Sequence, residues 1–159
     1  MQEWPEPVER VAAVLRLRGI DARIEEFADG TPTAAAAALA VGCDPEEIVK
    51  SLVFICDGGP VLALVPGDRR ADPLKIAAAA GARYARVAAH DEVRSATGFE
   101  PGAVAPFPAS ERTKVLLERE LLKHPTVWVG GGSTNHLVGL SPFDIARITR
   151  AQVTDLSES

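Results

Sequence analysis

Asp44-Pro45-Glu46-Glu47-Ile48-Val49-Lys50-Ser51-Leu52-Val53-Phe54-Ile55-Cys56 begins as a helix and ends as a strand. Asp44 is a helix-capping residue, Pro45 suits a first helical position, and Glu47 stands where a capping-box acid belongs. Leu52-Val53-Phe54-Ile55 is a short apolar run of β-branched and aromatic residues, which reads as a buried strand. Lys50 falls at the join. A lysine entering a buried strand either reaches solvent along its stem or directs its ammonium into a polar cavity. The second alternative needs a cavity with polar backbone nearby, and two glycine-rich stretches further along could supply it.

Outward from this stretch, helix and strand signals alternate. Val8, Val11, Ala12 and Leu15 share one helical face, so a helix is expected from about Pro5 to Arg18, ended by Gly19. Residues 23–27 alternate as a half-buried strand does. Thr33 caps an alanine-rich helix stopped by Gly42. Asp57-Gly58-Gly59-Pro60 is a hairpin turn leading into the strand Val61–Val65, antiparallel to the first. Asp72-Pro73 starts another helix, Tyr84–Val87 is a brief strand, and a short helix follows from Asp91. Strands are expected at 113–117, 126–129 and 137–140, with a last helix capped by Ser141. The polar tail after Val153 is expected to fray. The pattern predicts a mixed α/β fold with a largely antiparallel sheet in one domain spanning 1–159.

Composition narrows the function classes. The chain of 159 residues is 47% hydrophobic and 25% charged, long enough for a substantial core. Its net charge of −5 argues against broad, sequence-independent binding to nucleic acid, which relies on phosphate neutralisation. A local basic rim stays open, with Arg69, Arg70, Arg83 and Arg86 as candidates. No apolar run reaches the roughly 20 residues of a membrane span. The N-terminal Met1-Gln2-Glu3-Trp4-Pro5 has no secretory character, so a cytoplasmic location is expected. Cys43 and Cys56 are too few for a disulfide framework and too far apart for a metal knuckle.

Two loops could carry chemistry. Gly130-Gly131-Gly132-Ser133-Thr134-Asn135-His136 lacks the Lys-Ser/Thr pair of a phosphate loop and the spacing of a dinucleotide fingerprint. It is either a tight turn between strands or a place where backbone approaches a ligand, with His136 or Asn135 at its edge. Gly98 to Pro108 holds two glycines and three prolines in an ordered loop whose exposed amides suit an oxyanion-type site. No serine elbow, carboxylate pair or metal cluster stands out. A hydrolase built this way would work by positioning and electrostatics.

Together, Thr33-Ala34, Glu47 to Phe54, Val65-Pro66-Gly67-Asp68, Lys75-Ile76, Thr97-Gly98-Phe99, Gly102 to Phe107, Gly130-Gly131-Gly132 and Leu140 to Ile145 resemble the YbaK/prolyl-tRNA-synthetase-associated domain family over about Thr31 to Thr149. The resemblance implies a mixed α/β domain with a central curved sheet that hydrolyses misacylated tRNA without a cofactor or metal. It implies that Lys50 holds the 3′-terminal adenosine or the aminoacyl ester. Gly102-Ala103-Val104-Ala105-Pro106 looks like the family's G-x-x-x-P loop, whose backbone lies against the substrate carbonyl. Lys50, Gly102, Ala103 and Val104 are thus the candidate catalytic positions; Thr33, Phe99, Pro106, Gly131, Gly132, Ser133 and His136 are the candidate substrate-binding ones. The resemblance suggests water attack helped by the substrate's ribose hydroxyl, or cyclisation of a substrate thiol. Ala103, Ala105 and Pro108 depart from the residues common in relatives and touch the expected amino-acid pocket. The expected activity is that of a free-standing deacylase removing alanine or cysteine from tRNA for proline, with a synthetase as a second candidate partner. A non-catalytic module for aminoacyl-tRNA or a synthetase, and a hydrolase of another small ester, are the alternatives.

Overall fold

Asp57 and Gly58 both take positive φ, 49° and 86°, the geometry that a two-residue hairpin turn demands. This turn folds β2 (Val49–Cys56) back on β3 (Gly59–Pro66) in an antiparallel ladder running from Val49↔Pro66 to Cys56↔Gly59. The structure, a computed structural model, describes residues 3–159; Met1 and Gln2 of the N-terminal reading lie outside it. β2 starts three residues before the apolar run, because Val65 and Pro66 extend the pairing partner. Lys50 therefore stands inside the strand, opposite Val65, and not at a helix–strand join. The helical part shrinks to one 3-10 turn, Pro45–Glu47, in which the Glu47 carboxylate accepts from the Asp44 amide at 3.1 Å.

β4 (Ala85–Val87) pairs with the far half of β2, while β5 (Lys114–Glu118) adds in parallel to β3 and β8 (Gln152–Thr154) in parallel to β5. The order is β4-β2-β3-β5-β8. A second, antiparallel sheet runs β1 (Arg23–Glu26), β7 (His136–Leu140), β6 (Val127–Gly130). The expected single sheet is thus two sheets, linked by a bridge between Ile48 and Trp128. The link stays this short because the chain leaves the 3-10 turn immediately before Ile48. Trp128 can lie across its β7 partner only because that partner is Gly139: a Cβ there would come within 2.8 Å of the indole.

Alternation along β2 gives the larger sheet two buried faces. Val49, Val53 and Ile55 face a core shared with α1 (Glu6–Arg18), α4 (His90–Thr97), α5 (Pro142–Thr149), the smaller sheet and the 98–107 loop. Phe54 and Cys56 face the other way, toward Ile76 of α3 (Pro73–Ala80) and Leu156. Lys50 belongs to this second face. The remaining helix, α2 (Ala34–Val41), is capped as expected: the Thr33 hydroxyl accepts from the Ala36 amide at 3.0 Å.

The C-terminal tail does not fray. Leu156 and Ser157 are buried, because Glu118, itself 1% exposed, needs them. Its carboxylate accepts from the amides of Glu120, Leu156 and Ser157 and from the Ser157 hydroxyl, at 2.9 to 3.1 Å. A buried carboxylate is tolerated only with such a shell of donors. Lys75 adds an ion pair to Asp155 at 2.8 Å and a bond to the Ser157 carbonyl. The tail's polar composition hid this, since its polar groups serve a charge 39 positions earlier. Glu118→Ala should leave these donors unsatisfied and cost at least about 3 kcal/mol of stability, read as a lowered urea midpoint.

Candidate active site

A cleft of about 290 Å³ opens between the two sheets. Its walls come from four places: Thr31 to Ala34 at the start of α2, Ile48 to Leu52 of β2, Gly102 to Val104, and Gly130, Ser133, Thr134, His136 and Leu137 around the β6–β7 turn. Thr33, Lys50, Gly102, Ala103, Val104, Ser133 and His136, separated widely in sequence, all line it. Phe99, Pro106, Gly131 and Gly132 do not. Phe99 is 1% exposed, in the core beneath the Arg10 guanidinium, 4.7 Å from its ring centroid. Pro106 is buried and faces a separate hollow beside α1 and α5. Among the substitutions expected to shape the amino-acid pocket, only Ala103 borders the cleft: Ala105 points into the core, and Pro108 lines the separate hollow.

The three consecutive glycines serve packing, each for its own reason. A Cβ on Gly130 would stand 2.5 Å from the Val104 carbonyl oxygen, so glycine lets the 102–106 loop press onto β6. A Cβ on Gly131 would meet His136 at 3.0 Å; its amide donates to the His136 carbonyl at 2.9 Å and is therefore not available to a ligand. Gly132 takes φ +101° with the Pro7 carbonyl 2.7 Å from a hypothetical Cβ. The Ala103 amide is likewise engaged, by the Glu100 carbonyl at 2.9 Å. Among the described residues, the amides of Gly102 and Val104 at the cleft have no backbone acceptor. Gly67 is a further close approach: a Cβ there would lie 2.6 Å from that of Ala34, so the loop after β3 packs directly on the start of α2.

Lys50 sends its ammonium to the Arg69 carbonyl, on the loop after β3. Burial pushes its pKa below the ordinary lysine value; Asp68 opposes that shift and Arg70 adds to it. The first turn of α2 brings the positive end of a helix dipole to the same cleft. Arg69 and Arg70 stand exposed beside Lys50, whereas Arg83 and Arg86 sit near the opposite end of β2, paired with Asp57 and Glu92. Lys50 thus brings a positive charge to the cleft in a chain of net negative charge. The thiols are pushed the other way: burial, then Glu47 and Asp44, raise Cys43 to about 11, and burial raises Cys56. Neither is a poised nucleophile at neutral pH. Among the described residues, no three His, Cys, Asp or Glu side chains converge as metal ligands would.

His136 is 3% exposed. Its Nδ1 lies 2.6 Å from the Ser133 hydroxyl, and the edge of Trp4 packs on its ring with centroids 5.6 Å apart. Its Nε2 lies 3.2 Å from a Glu26 carboxylate oxygen, off the angle of a formed hydrogen bond. Glu26 escaped the sequence reading. The missing signal is register: Glu26 and His136 are directly opposed in the β1–β7 ladder, and pairing partners cannot be read from alternation in either strand alone.

A model of the aminoacyl-tRNA editing domain matches residues 28–148. The chain belongs to this family. The Bacillus subtilis protein YwhH, itself uncharacterised, is 31% identical over 131 residues, covering 82% of this chain and 83% of that protein. Proline–tRNA ligase of Xanthomonas campestris is 29% identical over 136 residues, but these are 85% of this chain and only 23% of the ligase. A crystal structure described as a candidate trans-editing enzyme for prolyl-tRNA synthetase superimposes with a TM-score of 0.90 at 37% identity, covering 99% of this chain and 100% of that one. No helix among the described residues of this editing domain is long and apolar enough to cross a membrane.

Two outcomes follow from the geometry of this editing domain. Gly130→Ala should displace the Val104 carbonyl, lowering stability by about 1–3 kcal/mol in chemical denaturation and disturbing the cleft. Lys50 binds its proton less tightly folded than unfolded. Stability attributable to it therefore rises with pH from its lowered value up to about 10.4, the ordinary lysine pKa, and Lys50→Met should flatten that rise in denaturation curves.

Proposed function

We propose that this editing domain hydrolyses the ester of misacylated tRNA in trans, removing a small wrong amino acid, alanine or cysteine, from tRNA for proline. The observation that carries this reading is the convergence of Lys50 with the Gly102–Val104 backbone in one small cleft. In it, the Lys50 ammonium holds the negatively charged or ester oxygens of the RNA 3′ end. The amides of Gly102 and Val104 receive the carbonyl oxygen as it gains charge. The apolar floor of Ala34, Ala37, Ile48 and Leu137 leaves room for a short side chain. The attacking water is helped by the ribose hydroxyl beside the ester. The partners are the 3′-terminal adenosine of aminoacyl-tRNA and, as a second candidate, a synthetase that delivers it; the setting is the cytoplasm. The similarity to a candidate trans-editing enzyme and to segments of proline–tRNA ligases supports the choice of tRNA.

The test is deacylation of tRNAs carrying alanine, cysteine, serine, threonine or proline, with Lys50→Ala beside the wild type. We expect rapid loss of one small non-proline amino acid and a drop of about 100-fold or more in the folded variant. Equal rates in both proteins would remove Lys50 from the mechanism. Stable esters throughout, with binding of a non-hydrolysable aminoacyl-adenosine, would leave a recognition module without turnover.

A further inference from the structure

We propose that Ser133, His136 and Glu26 form a proton relay that opens into the cleft at the Ser133 hydroxyl and serves the hydrolytic water. The inference rests on the hydrolase reading above and adds to it side chains that accept the proton. It starts from an accessibility argument. His136 is 3% exposed, with one nitrogen facing Ser133 and the other facing Glu26. Ser133 and His136 both line the cleft, and the half-buried Ser133 hydroxyl is the polar side-chain group that meets the imidazole there.

The hydrogen-bond pattern sets direction. The Ser133 oxygen accepts from the Asn135 amide at 3.0 Å, and its hydroxyl proton is free to point at Nδ1, 2.6 Å away. Nδ1 is then the acceptor, and the ring proton sits on Nε2, toward Glu26. Glu26 is the carboxylate opposed to His136 by strand register, and it faces the positive charge that the ring acquires. The edge of Trp4, which is not titratable, also packs on the ring, while Lys50 lines the cleft from β2. The Glu26 side chain is 63% exposed.

The step balances without a further reagent. A water oxygen bonds to the ester carbonyl carbon; one water proton passes to the Ser133 oxygen as the Ser133 proton passes to His136 Nδ1. The imidazolium is stabilised by Glu26 while negative charge gathers on the former carbonyl oxygen. When the tetrahedral species collapses, the bond to the ribose oxygen breaks. That oxygen takes a proton back through Ser133, leaving a free amino acid and a tRNA hydroxyl.

The experiment uses the aminoacyl-tRNA that the wild type deacylates, with single-turnover rate, KM and pH profile measured for Ser133→Ala, Ser133→Thr, His136→Asn and Glu26→Gln. Ser133→Ala and His136→Asn should each slow the chemical step by about 100-fold or more with little change in KM, and both should lose the acid limb of the pH profile. Ser133→Thr, which keeps a hydroxyl, should restore most of the rate. Glu26→Gln, at an exposed position that folding tolerates, should cost about 10-fold and shift that limb. Unchanged rates and pH profiles in Ser133→Ala and Glu26→Gln would overturn the relay and leave the hydrolase reading standing. If Ser133→Ala fails to fold, an unchanged profile in Glu26→Gln overturns the relay by itself. A wild type that deacylates nothing overturns both.

Discussion

The carbonyl of Val104 rests against the α-carbon of Gly130, where any side chain would stand 2.5 Å from its oxygen. The cleft depends on this contact. It brings the proline-bounded loop over the edge of the smaller sheet, so that Gly102 and Val104 line the same cleft as Lys50 of the larger one. Behind it, Gly131 lets His136 close up to the turn, and Gly132 lets the turn pass the start of α1. Interiors transmit such steric demands because they are packed without slack. The site is therefore a seam between two sheets, and its dimensions are set by backbone touching backbone.

The local grammar of the chain was legible. Thr33, Asp72 and Ser141 all accept from amides in the first helical turn, and Gly19, Gly42, Gly81 and Gly98 all end helices in the left-handed conformation. Those outcomes depend on a few neighbouring residues, so a single sequence contains them. What depends on partners far along the chain was not legible. The joining of the two sheets rests on one bridge at Ile48, the order of the tail rests on Glu118, and the placement of Lys50 inside β2 rests on how far β3 extends.

The same distinction runs through the site. Lys50 and the Gly102 loop could be singled out because their residue types are unusual where they stand. The three glycines had the same appearance, yet their smallness serves close packing, and one of their amides is already engaged by His136. Glu26 had no unusual appearance, being one of two adjacent acids in a half-buried strand. Its partner is fixed by ladder register, which closes only when β7 arrives more than a hundred residues later. The lysine is also engaged: its ammonium holds the carbonyl of Arg69, on the loop that follows β3.

The shell around Glu118 has a consequence for the order in which the domain is made. A ribosome delivers Glu118 long before Leu156 and Ser157, and until those residues emerge the carboxylate lacks most of its donors. The hairpin of β2 and β3 can close early, since its pairing is local. The parallel edge of β5 and β8 cannot. A nascent chain stalled before Leu156 would hold a charged group in a half-built interior, open to water and to proteases. Closure of the larger sheet therefore waits for residues 152–157.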